Sequence, residues 1–117
     1  MLPIKVVVLN NHYLGMVRQW QELFYDDRKS GVDLEGNPDF VKLAEAYDNV
    51  LGLHVRRAGD VRRVLKRALE YNKGPVLIDA EVEKTDNVFP MIPAGRPLED
   101  MIIEKPRHKM EKPTGST

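Results

Sequence analysis

The sequence predicts an α/β fold: a three-layer sandwich on a mostly parallel sheet, followed by a Pro-rich C-terminal arm. Three observations carry this expectation. Short β-branched runs alternate with longer segments of helical period, in the order strand, helices, strand, helix, strand. The opening run Ile4-Lys5-Val6-Val7-Val8-Leu9 is apolar almost without interruption, the pattern of a parallel strand buried on both faces. The last 35 residues, 83–117, hold five of the eight prolines and show no sustained period.

The elements follow in order. The first strand begins three residues after Met1 with nothing to flank it, which suggests a boundary cut through a larger fold. Beyond Asn10-Asn11-His12-Tyr13, the residues Met16, Trp20, Leu23 and Phe24 fall on one helical stripe, and Met16 and Trp20 are expected in the core. Residues 26–36 are polar and aperiodic, a loop. Asn37-Pro38 then reads as a helix start, Asn as N-cap and Pro at the first helical position, with Phe40, Leu43, Ala44 and Tyr47 on the buried side. Residues 51–56 make a short second strand. The clearest helix has Val61, Val64, Leu65, Ala68 and Leu69 as its stripe and Arg62, Arg63, Lys66, Arg67 and Glu70 as its wet face. Gly74 suits a left-handed cap, Pro75 blocks continuation, and residues 75–82 form a third strand. The domain thus runs over 1–82 and the arm over 83–117, where only residues 97–103 are fit for a short helix and the polar end 111–117 is expected to fray.

Composition narrows the function. The 117 residues carry 18 Lys+Arg and 18 Asp+Glu, a net charge of zero, without the basic excess that phosphate backbones and anionic membranes call for. No nucleic-acid or membrane partner is expected. The chain has no Cys, which removes disulfides, thiolate chemistry and zinc knuckles. No apolar run approaches a membrane span and no secretory leader is visible, so the expected location is the cytoplasm, or an organelle for a parent with a transit peptide. The neutral total conceals a local charge of −5 over residues 22–48 and +5 over 56–73, read as two faces that meet or as two solvated surfaces.

In a parallel sheet, ligands bind beyond the carboxyl ends of the strands. Asn10-Asn11-His12-Tyr13-Leu14-Gly15 occupies such a place, between a strand end and a helix start. Two readings stand side by side. An Asn oxygen and a backbone carbonyl can ligate Mg²⁺ while a helix N-terminus holds phosphate. Asn-Asn is equally a turn former. His12 is open to an acid/base reading or to that of an exposed loop residue, while His54 and His108 have no partner set in the sequence that resembles a triad or a metal site. Large apolar residues in Val88-Phe89-Pro90-Met91-Ile92-Pro93 require something to pack against.

The segment Leu9-Asn10-Asn11-His12-Tyr13-Leu14-Gly15-Met16-Val17-Arg18-Gln19-Trp20-Gln21 resembles the C-terminal part of the thiamine-diphosphate-binding domain of acetolactate synthase (acetohydroxyacid synthase) catalytic subunits. The likeness continues through Pro38-Asp39-Phe40-Val41-Lys42-Leu43-Ala44-Glu45-Ala46-Tyr47, Gly74-Pro75-Val76-Leu77-Ile78-Asp79 and Val88-Phe89-Pro90-Met91-Ile92-Pro93-Ala94-Gly95, nearly the whole chain. The Asn-Asn element is common to thiamine-diphosphate enzymes, whereas Gly-Met-Val-x-Gln-Trp-Gln and Pro-Met-Ile-Pro belong to this branch.

The resemblance implies thiamine diphosphate and Mg²⁺ as cofactors. It implies Asn11 (side chain) and Tyr13 (main-chain carbonyl) as metal ligands, with Gly15 and Met16 beside the diphosphate. Met16, Val17 and Trp20 would line the substrate channel, and Ala94 and Gly95 would belong to an arm closing over it. The implied reaction decarboxylates pyruvate and joins the two-carbon unit to a second 2-keto acid, for branched-chain amino-acid biosynthesis. The implied partners are the rest of the catalytic subunit, a second catalytic subunit, and a small regulatory subunit. Two departures matter. The Gly-Asp-Gly half of the cofactor motif, with its metal-binding Asp, and the domain carrying the catalytic Glu are not in this sequence, so the isolated chain is expected to be catalytically silent. Asp48-Asn49 stands where the family has Gly. A non-catalytic assembly module sharing the half-domain, or a pyruvate oxidase or decarboxylase relative, are the alternatives.

Overall fold

The computed structural model describes residues 2–107; His108 and the polar end 111–117 lie outside them. The described chain divides into two compact units, residues 2–12 with 35–83 and residues 13–34 with 84–107.

The first unit holds a three-stranded, all-parallel sheet. Strands β1 (Lys5–Asn10), β2 (Leu51–Val55) and β3 (Val76–Glu81) lie in the order β1-β3-β2. Val7 pairs with Ile78 and Leu53 with Ile78, so the last strand in sequence is central in space. Its residues Val76 and Ile78 are fully buried, as an interior strand requires.

Alternation along the strands separates two faces. On one, Leu53, Val55, Val76 and Ile78 pack against Val64 and Ala68 of helix α3 (Val61–Glu70), with Leu51, Tyr71 and Ala80 at the margin. On the other, Gly52 faces helix α2 (Phe40–Glu45). A Cβ at Gly52 would lie 2.8 Å from the Val41 carbonyl oxygen, so the close approach of α2 to the sheet needs glycine there. Helix, sheet and helix make the three layers that the sequence predicts.

Several details differ from the sequence reading. The first strand is covered on both faces in expectation, but β1 ends the sheet, with Val6, Val7 and Leu9 exposed by 46%, 49% and 72%. Helix α2 starts at Phe40 rather than after Asn37, because Asp39 is the cap: its carboxylate accepts the N–H groups of Val41 and Lys42, both at 3.1 Å. The Lys42 N–H, then the Lys42 charge and the Val41 N–H, hold the Asp39 carboxyl below its ordinary range. Only Ala44 of the expected α2 stripe is buried, while Leu43 and Tyr47 are exposed. In α3, Val64 and Ala68 face the sheet, whereas Val61, Leu65 and Leu69 form an exposed ridge. That helix ends at Glu70 with Tyr71 already extended, so Gly74 does not serve as a left-handed cap. At the departure Asp48-Asn49, Asn49 takes φ of 60° and its carbonyl accepts the Tyr71 hydroxyl at 3.1 Å. Asn tolerates the left-handed region better than most side chains, so here it adopts a conformation open to Gly.

The second unit is built around helix α1 (Gly15–Phe24). Leu23, Phe24 and Ile102 form its apolar core, with Trp20, Phe89 and Met91 packed against them and the Trp20 and Phe24 rings edge to face at 5.3 Å. Phe89 and Met91 of the Pro-rich segment therefore have the packing partner they require, whereas Val88 and Ile92 stay exposed. Met91 and Ile102 exchange backbone hydrogen bonds, and Leu98–Asp100 is a single 3-10 turn within the stretch fit for a short helix.

Candidate functional site

In the first unit, the carboxyl ends of the three strands converge on the face that α2 covers. Asn10, His54, Asp79 and Glu81 lie on this face, where His54 pairs directly with Asp79. Together with residues of the segment leading into α2, Asn10, His12, His54 and Asp79 line a cleft of about 430 Å³. Asn10 is buried, and its side chain is engaged at both ends: Nδ2 donates to Asp79 Oδ1 at 3.1 Å, and Oδ1 accepts the His12 N–H at 3.1 Å. His12 has φ of 57°. A left-handed non-glycine residue costs roughly 1–2 kcal/mol, which the side-chain bond from Asn10 offsets. Of the two readings of Asn10-Asn11, the turn former is thus Asn10, and Asn11 is the residue the turn carries.

Behind this turn stand His54 and its neighbours. Arg56 Nε donates to His54 Nδ1 at 3.1 Å, which leaves the proton of the neutral ring on Nε2. That Nε2 lies 3.5 Å from Glu81 Oε1 and 3.9 Å from Asp79 Oδ2, beyond good hydrogen-bond length. The sequence reading passes over His54 and Asp79, and the available signal is their position as polar residues near the carboxyl ends of otherwise apolar strands.

In the second unit, Tyr13 forms a β-bridge with Asp33, and the Leu14 N–H donates to the carbonyl of the buried Val32 at 2.9 Å. Helix α1 opens at Gly15, with no side chain capping its first turn. Met16, Val17 and Trp20 line one cleft of about 660 Å³ with Gln21, Tyr25 and Arg28. Met16 is 51% exposed, contrary to its expected place in the core, because it fronts this cleft. Ala94 and Gly95 are exposed, in a turn where Gly95 has φ of 78°, and among the described residues they do not line the cleft.

The buried face of α1 carries two polar residues ahead of the apolar Leu23 and Phe24. Arg18 and Gln19 are each 1% exposed. Arg18 donates to Glu22 at 2.8 Å, to the Thr85 and Asp86 carbonyls at 3.1 Å each, and to Asn87 Oδ1 at 2.5 Å. Gln19 brackets Val88, accepting its N–H at 2.7 Å and donating to its carbonyl at 2.9 Å. Glu22 also accepts from Asn87 and Lys105. Burial works to raise the Glu22 carboxyl, but the bonds from Lys105, Asn87 and Arg18 overcome it and hold the group below its ordinary value of 4.5. Glu22 therefore stabilises the fold fully above pH 4.5, and this contribution disappears as pH falls through the lowered folded value. Denaturant unfolding followed by Trp20 fluorescence should show a steeper acid loss for the parent chain than for Glu22→Gln; equal slopes would refute the assignment.

Residues 1–80 match the family model described as thiamine pyrophosphate enzyme, C-terminal TPP binding domain. Among curated proteins, the chain is similar to the acetolactate synthase large subunit of Parasynechococcus marenigrum, 44% identical over 86% of this chain and 16% of that protein. It is similar to the Haemophilus influenzae large subunit, 36% identical over 92% of the chain and 19% of the relative. The Escherichia coli isozyme 2 large subunit is 41% identical over 86% of the chain and 18% of its own length. The chain thus spans under a fifth of the relatives it matches. Among the described residues no helix is long and apolar enough to cross a membrane.

Proposed function

The chain belongs to the thiamine pyrophosphate enzymes through their C-terminal TPP binding domain, and on that premise we propose that it supplies part of a metal–diphosphate anchor and one wall of a substrate channel for acetolactate synthesis. In that reaction pyruvate loses CO₂ and its two-carbon unit joins a second 2-keto acid. The observation that carries the proposal is the Asn10–His12 turn at the carboxyl end of β1, which carries Asn11 at the place where parallel sheets bind ligands.

The donors fit the cofactor. The Asn11 side-chain oxygen and the Tyr13 carbonyl are hard, neutral oxygens of the kind Mg²⁺ takes, and that ion keeps further positions for diphosphate and water. Bound thiamine diphosphate would supply the electron sink for decarboxylation. Asn11 and Tyr13 would hold the metal, Gly15 and Met16 would open α1 toward the diphosphate, and Met16, Val17 and Trp20 would present an apolar wall that excludes water from the reacting carbons. Ala94 and Gly95 are assigned to an arm over the channel. The supporting parts are the remainder of a catalytic subunit, a second copy and a regulatory subunit, in the cytoplasm or an organelle.

Calorimetric titration of the chain with thiamine diphosphate tests this reading. Binding is expected in Mg²⁺ and lost in a chelator. Heat that is indifferent to chelation, or no binding at all, would refute it.

A further inference from the structure

We propose that Asp79, on the central strand, is the positioning residue of the Asn10–His12 turn: its carboxylate dictates which way the Asn10 amide points, and so holds the backbone that presents Asn11. The inference rests on the reading of Asn11 as a ligand.

Both ends of the Asn10 side chain are engaged, Nδ2 with Asp79 Oδ1 and Oδ1 with the His12 N–H, each at 3.1 Å. The two orientations of a side-chain amide have nearly the same shape, so packing alone does not choose between them. Hydrogen-bond polarity does. An ionised carboxylate only accepts, and it draws the NH₂ end of Asn10 while repelling the carbonyl end. The oxygen is then left facing His12. With the amide reversed, two oxygens would oppose one another between Asn10 and Asp79, and an NH₂ would face an N–H. His12 depends on that acceptor because its left-handed backbone is otherwise disfavoured. Asn11 is the residue enclosed between the two ends of the bond.

Asp79 is well placed for this task. It sits on the strand that is paired on both sides, opposite Val8 of β1 and His54 of β2. Its Oδ1 is turned to Asn10 while Oδ2 lies on the His54 side. The residue acts through Asn10 and is assigned no ligand contact of its own.

The test uses the full chain, labelled with ¹⁵N, and two variants. Asp79→Leu removes the acceptor on the same branched skeleton, whereas Asp79→Asn retains an acceptor oxygen. Hydrogen exchange at the His12 amide reports the turn without any ligand, and the amides of β2 and β3 report the sheet. Titration with Mg²⁺ and thiamine diphosphate reports the consequence. In Asp79→Leu the His12 amide should exchange about tenfold faster and affinity should fall about tenfold, while Asp79→Asn stays close to the parent in both. Unchanged His12 exchange in Asp79→Leu overturns the proposal, and so does faster exchange with unchanged affinity. If β2 and β3 lose protection in that variant, Asp79→Ala takes its place with the same criteria. If the parent chain takes up no thiamine diphosphate, the functional reading fails and His12 exchange alone decides the role of Asp79.

Discussion

Asn11→Ala should abolish Mg²⁺-dependent retention of thiamine diphosphate while leaving the sheet intact. Even groups that only support a metal ligand cost 10–100-fold in affinity when removed, so loss of a direct ligand oxygen should cost on the order of 100-fold or more. The substitution removes that oxygen and leaves in place the Asn10 bonds to Asp79 and to the His12 N–H. The His12 amide should therefore keep its protection in Asn11→Ala, and this separates a lost ligand from a lost turn. Asn11→Asp retains an oxygen at the same place and should retain metal dependence. An alanine variant that titrates like the parent chain would remove Asn11 from the ligand set. If His12 protection were lost as well, the effect would belong to the turn instead.

The contrast between Asn10 and Asn11 shows where the sequence stops being informative. Two identical side chains in succession carry the same local signal, and turn and ligand readings both follow from it. The choice comes from β3, 69 positions away, because Asp79 engages the first of the pair. The strands were legible for the opposite reason: β-branched runs such as Val76-Leu77-Ile78 need no distant partner to announce themselves. A mostly parallel sheet followed from the alternation of strands and helices, but the exposure of β1 did not, because a pattern of apolar residues says what a strand wants covered and not what covers it. The cap of α2 moved from Asn37 to Asp39 for a similarly simple reason. Both are good cap residues, and only the backbone decides which carboxyl or amide oxygen meets the free N–H groups.

Helix faces were the least legible part. Apolar periodicity puts Met16 and Trp20 of α1 inward, yet the most buried residues of that helix are Arg18 and Gln19. A hydropathy stripe treats a guanidinium as a surface group. It cannot foresee three acceptors from residues 85–87, 67–69 positions along the chain, arranged to satisfy one. The only local clue is the i,i+4 spacing of Arg18 and Glu22. The apolar residues thereby released to the opposite side, Met16 and Val17, are the ones that front the cleft of the second unit.

Arg18→Met should accordingly be the most destabilising substitution in that unit. Methionine fills much of the same volume, so the loss isolates the charge and its hydrogen bonds from the packing. Glu22 would keep Asn87 and Lys105 but lose its in-helix partner, and the Thr85 and Asp86 carbonyls and Asn87 Oδ1 would lose a shared donor in a buried place. Removing one partner of a buried ion pair typically costs about 3–5 kcal/mol, a large share of the roughly 5–15 kcal/mol that holds a domain folded. Trp20 is the only tryptophan in the chain and packs on the Leu23, Phe24 and Ile102 cluster, so its fluorescence reads this unit directly. The midpoint of denaturant unfolding by Trp20 should fall sharply, while amide protection in β2 and β3, which belong to the other unit, should change far less. Arg18→Lys should recover little, because one ammonium cannot reach four acceptors in the forked geometry that a guanidinium spans. A methionine variant as stable as the parent would mean that the Gln19–Val88 and Asn87–Glu22 bonds hold residues 85–88 without the guanidinium.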